Sequence, residues 1–134
     1  MGKSILRAAT GDELIPLSFM GRSHIGYSTT KAALRNFANA MGVRYAPHNV
    51  RVNSVIPGLI HTPLVARLAY EYNDGDYQGL VNKRASSVPM GRMGTAFDVA
   101  QAIVFLSSQE ASGYVTATSL LVDGGITSQV IREG

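Results

Sequence analysis

Val50-Arg51-Val52-Asn53-Ser54-Val55-Ile56-Pro57-Gly58 is the stretch on which the fold turns. Val50, Val52, Val55 and Ile56 are β-branched, and side chains of that shape favour a strand. Pro57 has no amide hydrogen for a ladder and Gly58 admits a sharp turn, so the strand ends there. Upstream, Pro47-His48-Asn49 closes a helical pattern that runs from Ser28 to Ala46. Within it Ala32, Ala33, Leu34, Phe37, Ala38, Ala40, Met41 and Val43 cover more than one face. Such a helix expects two neighbours, the sheet on one side and a second subunit on the other.

Further out, Ser4-Ile5-Leu6 reads as a short strand and Ser119-Leu120-Leu121-Val122 as the last one, closed by Asp123-Gly124-Gly125. Residues 62–88 mix short helical pieces with the turn Asn73-Asp74-Gly75-Asp76, an insertion of the kind that forms a substrate loop or lid. Thr95-Ala96-Phe97-Asp98 has capping-box spacing, with Asp in place of Glu. It opens a helix carrying Val99, Ala100, Ile103, Val104 and Leu106, and the apolar run from Ala102 to Leu106 reads as a buried helix segment. Strand, helix, strand, helix, strand is the order of right-handed βαβ crossovers. The expected fold is α/β: a partial Rossmann-like parallel sheet of about three strands with flanking helices, in a single domain over residues 1–134. A rearranged or swapped sheet within an oligomer is the alternative arrangement.

The composition narrows the function classes. An apolar fraction of 46% and a charged fraction of 16% suit a soluble globular chain. No apolar run nears the ~20 residues of a membrane helix, and the first residues lack signal-peptide organisation. Without cysteine there is no disulfide and no thiolate metal site, and the default compartment is the cytoplasm. A net charge of +3 raises the question of nucleic acid. The cations are scattered from Lys3 to Arg132, with only Lys83 and Arg84 adjacent, and form no binding footprint. His24, His48 and His61 are too dispersed for a metal site, so no metal is expected.

The chemistry centres on Tyr27-Ser28-Thr29-Thr30-Lys31. A spacing of i and i+4 brings the phenol and the ammonium onto one helix face. A nearby cation favours phenolate and lowers a tyrosine pKa from its ordinary ~10, which suits Tyr27 to general acid/base work on a hydroxyl or carbonyl oxygen. Alone, the motif is weak. In order behind it come Val50 to Gly58, then Leu59-Ile60-His61-Thr62, Pro89-Met90-Gly91-Arg92-Met93-Gly94, Asp98-Val99-Ala100 and Leu121-Val122-Asp123-Gly124-Gly125. From Gly26 to Gly125 this series resembles the C-terminal half of the short-chain dehydrogenase/reductase family, of the 3-oxoacyl-reductase-like kind.

The resemblance implies an oxidoreductase that moves hydride between NAD or NADP and a small-molecule hydroxyl or carbonyl substrate. Tyr27 would exchange the proton, and Lys31 would hold the nicotinamide ribose. Pro57, Gly58, Ile60 and Thr62 would line the nicotinamide, with the backbone at Ile60 meeting the carboxamide. Ligands do gather at the carboxyl ends of strands in open α/β sheets. His61 lies in the same segment and reads as a solvent-facing side chain, and Arg92 as structural.

Two departures stand out. The family's substrate-orienting Ser falls in register on Leu14; laying 4–10 on the corresponding strand puts Thr10 in that place, with Ser18 and Ser23 as alternatives. The sequence also contains no G-x-x-x-G-x-G turn before a helix and no acidic residue at the ribose-binding distance after one. The N-terminal dinucleotide-binding half is thus expected to be missing, and the isolated chain is expected to turn over little. Self-association into a dimer or tetramer is expected through the Ser28 to Ala46 helix and the C-terminal helix and strand. A non-catalytic oligomeric remnant, or a module that completes another chain, is the competing function.

Overall fold

The computed structural model describes residues 3–8 and 25–129. Strand β1 (Lys3–Ala8) leads to helix α1 (Ile25–Tyr45), and a 3₁₀ turn at Ala46–His48 feeds strand β2 (Val50–Pro57). Helices α2 (Pro63–Tyr72), α3 (Tyr77–Ser86), α4 (Ala96–Ser107) and the single turn α5 (Gln109–Ser112) precede strand β3 (Ser119–Val122). The three strands pair in parallel in the order β1-β2-β3, with Val55 opposite both Ala8 and Leu120. The expected three-stranded parallel sheet with flanking helices is therefore present.

β2 is the centre of the molecule. Residues 51–56 are all buried although side chains alternate between faces, so both faces are covered, and α1 and α4 are the helices packed on it. Each fully buried valine or isoleucine there contributes roughly 1.5–3 kcal/mol. Three buried polar residues interleave with them, and each has partners in the segment that leads into β3. Asn53 donates to the Val115 carbonyl at 3.0 Å and accepts from the Thr118 amide at 3.2 Å. The Ser54 and Ser119 hydroxyls lie 2.8 Å apart. Arg51 is only 7% exposed and has no carboxylate partner among the described residues. Its guanidinium donates to the carbonyls of Val115 at 3.0 Å, Leu106 at 2.9 Å and Ser108 at 3.4 Å, which places a cation at the C-terminal, electronegative end of α4.

α1 approaches this centre closely through Gly42, where a β-carbon would come within 2.7 Å of the Ala117 backbone and 2.8 Å of the Val52 carbonyl. Ala38 and Gly42 are buried against the sheet, while Ile25 (71% exposed) and Val43 (70%) face outward. The two-sided apolar character of this helix thus has one side filled within the chain. The run from Ala102 to Leu106 departs from its sequence reading: Leu106 is buried, but Val104 and Phe105 are exposed. An apolar run covers every face of a helix, and here the sheet occupies only one. A second cluster, Leu59, Val65, Val88, Met93 and Ile126 with Leu80 and Val81 packed on it, roots the α2–α3 hairpin beside the end of β2. Residues 62–88 accordingly hold two short helices about the Asn73–Asp76 turn, as their mixed pattern suggests.

Candidate active site

Tyr27 and Lys31 sit in the first two turns of α1, and the Lys31 ammonium lies 5.4 Å from the centre of the Tyr27 ring. The one-turn spacing has brought phenol and cation together, as expected. Tyr27 is 39% exposed. The Thr30 hydroxyl turns back to the Tyr27 carbonyl at 2.8 Å and firms the first turn. Thr10, and with it Ser18 and Ser23, lies outside the described residues.

The segment after β2 is held from one side. The Gly58 amide donates to the Val122 carbonyl at 3.0 Å, and a β-carbon on Gly58 would sit 2.7 Å from Asp123, so only glycine allows the strand ends to meet. Gly94 forms a parallel bridge with Ile60, donating to the Leu59 carbonyl at 2.9 Å and accepting from the His61 amide at 2.7 Å. In a parallel bridge those contacts use the residues flanking Ile60, so Ile60's own amide and carbonyl point to the opposite side. Thr62 is the N-cap of α2, but its hydroxyl makes no capping bond. Ordinarily that oxygen would accept from the helix's first amides. Pro63, whose ring suits the first helical position, takes the chain into α2.

Two carboxylates stiffen the surroundings. Burial alone would raise the Asp123 pKa; bonds from the Thr127 hydroxyl (2.6 Å) and the amides of Gly125 (2.9 Å) and Thr127 (3.1 Å) outweigh it and hold the group below its ordinary value. Asp98 pairs in two-pronged fashion with Arg92 (3.0 and 3.2 Å) and accepts from the Thr95 amide (2.7 Å) and hydroxyl (2.9 Å). The Arg92 guanidinium and these Thr95 donors hold its carboxyl far below the usual carboxylate range. The capping box and the structural part of Arg92 both match the sequence reading. Because the folded pKa is depressed, the stabilisation from Asp98 is complete above the unfolded value near ~4 and is lost as pH falls towards the folded one. The gap in urea midpoint between the native chain and Asp98→Asn is accordingly expected to stay constant from neutral pH down to about 4 and to shrink below it. A gap that widens on acidification would contradict the assignment.

A cleft of about 410 Å³ opens between Ile60, Met90, Arg92 and Asp123. Neither Tyr27 nor Lys31 lines it, and its Arg92 and Asp98 walls are paired to each other. Two arrangements escaped the sequence reading. The cation at the α4 terminus was signalled only by a charged residue inside a β-branched strand. His61 is not a bare surface side chain either; it contacts Tyr77 at the start of α3.

Residues 14–127 match a family model described as enoyl-(acyl carrier protein) reductase. The short-chain reductase protein NovJ of Streptomyces niveus is 34% identical over 128 residues, which cover 93% of this chain and 48% of that protein. The chain belongs to the short-chain dehydrogenase/reductase family. Solved structures agree with it. The ligand-free aldohexose dehydrogenase of Thermoplasma acidophilum superposes with a TM-score of 0.85 at 28% identity, over 100% of this chain and 52% of that one. L-sorbose reductase from Gluconobacter frateurii, complexed with NADPH and L-sorbose, gives 0.81 at 30% identity over 96% and 49%. The chain spans 38% and 48% of the length of two curated relatives, oxidoreductase UcpA of Escherichia coli and NovJ. Among its described residues no helix is long and apolar enough to cross a membrane.

Proposed function

We propose that the chain carries the nicotinamide end of an NAD(P)-dependent oxidoreductase acting on a hydroxyl or carbonyl substrate. The observation that supports it best is the Lys31 ammonium 5.4 Å from the Tyr27 ring, on the helix that precedes β2. Bound nicotinamide supplies hydride transfer. Tyr27 holds and moves the proton at the substrate oxygen, and the adjacent positive charge of Lys31 stabilises its oxygen when that proton leaves. Lys31 also holds the ribose hydroxyls. The residues after β2 suit the nicotinamide: Pro57 and Gly58 end the strand at the carboxyl edge of the sheet, the Ile60 amide faces away from Gly94 towards a carboxamide, and the Thr62 hydroxyl is not spent on its helix. If Thr10 replaces the family serine, it orients the substrate carbonyl. Residues 1–134 act as one partial domain, in which 62–88 shape the substrate side.

The sequence holds no Gly-rich phosphate turn, and a helix N-terminus behind such a turn is what binds the pyrophosphate in dinucleotide folds. Binding of NADH or NADPH by the 134 residues alone is therefore weak, and so is their turnover. An NMR titration of the chain with each cofactor tests this: shifts at 27–31 and 57–62 that vanish in Lys31→Ala support the reading. Unchanged spectra with both cofactors leave the second reading, a non-catalytic oligomeric or complementing module. That reading has its own support in the outward apolar side of α1 (Ile25, Phe37, Val43), in Phe97 and Val104 of α4, and in Leu121 of β3. Self-association through α1 and through α4 with β3 fits both readings.

A further inference from the structure

The α2–α3 hairpin is held unevenly. α2 buries Val65 and Ala69 almost completely, whereas α3 buries no residue fully and packs on the core cluster through the half-buried Leu80 and Val81. The far end of α3 is tied by Gln129, which donates to the Ser87 carbonyl at 2.6 Å. Its near end meets the site. Tyr77, the first residue of α3, places its hydroxyl 2.6 Å from Nε2 of His61, and the two rings meet edge to face with centroids 5.9 Å apart. His61 lies between Ile60 and Thr62, and its backbone amide is fixed to Gly94. The pair thus joins a strand end fixed by backbone bonds to a helix that buries no residue fully. Both side chains are exposed, so the bond competes with water and is weak enough to open thermally, as a lid contact must be.

We propose that His61 and Tyr77 are a latch that closes α3 over the substrate side of the site and couples its position to the nicotinamide-lining segment. They act as positioning residues, without a part in proton transfer. The coupling rests on the cofactor reading of residues 57–62; the latch itself does not.

Hydrogen exchange of the full chain, with and without NADH, tests both parts. Tyr77→Phe and His61→Leu are expected to speed exchange across 77–86 roughly three- to tenfold, while β2 keeps its protection. His61→Gln, which retains a polar partner, restores most of that protection. NADH slows exchange across 77–86 in the native chain but not in Tyr77→Phe. Unchanged α3 protection in both Tyr77→Phe and His61→Leu overturns the latch. Loosened α3 in the variants with no response to NADH in the native chain overturns the coupling and counts against the cofactor reading, while the latch stands.

Discussion

Arg51→Ala is expected to destabilise the fold by about 3 kcal/mol, measured as the loss of unfolding free energy in urea. The substitution removes the charged donor shared by three carbonyls, those of Leu106, Ser108 and Val115, and empties the space of a buried side chain. A hydrogen bond from a charged donor is worth about 1.5–3 kcal/mol, and Arg51 makes more than one. The electronegative end of α4 also loses its cation. Arg51→Met, which keeps most of the volume, separates packing from polarity: it is expected to recover under half of the loss. Arg51→Lys is expected to rescue little, because a single ammonium lacks the planar fork that spans several carbonyls. A loss below about 1 kcal/mol in Arg51→Ala would mean that the other donors to those carbonyls, Asn53 and Ser112 among them, or water make up for the guanidinium.

The second large effect is on chemistry. In any assembly of this chain that turns over a carbonyl or hydroxyl substrate, Tyr27→Phe is expected to lower kcat by about 10²–10⁴-fold, the usual worth of a positioned general acid/base. The ring stays, so the fold and the contact with Lys31 persist and cofactor binding is retained. Lys31→Ala differs in weakening cofactor binding and kcat together, since one ammonium serves both the ribose and the phenol. Rates within about threefold of the native value in Tyr27→Phe would remove Tyr27 from the proton-transfer step and with it the proposed mechanism.

The fold and the site were legible to different depths. β2 could be read because β-branched residues and a Pro-Gly stop are local signals. The Thr95–Asp98 cap was equally local, and the structure has both of its reciprocal bonds. The Tyr27–Lys31 pairing followed from helix geometry alone, because 3.6 residues per turn leaves no other place for i+4. Contacts between segments distant in sequence left no such mark. Nothing local in Arg51 names Leu106 or Val115 as its acceptors, and nothing in His61 points to Tyr77.

The sequence by itself therefore determined the parallel α/β class, the limits of the central strand and the pairing of phenol with ammonium. Each depends on interactions spanning one turn of helix or one run of strand. Tertiary structure alone decided which apolar faces are covered, which carbonyls Arg51 satisfies, and how the Ile60 amide is aimed. Those outcomes depend on which segments meet, and meeting is set by the packing of the whole chain around β2.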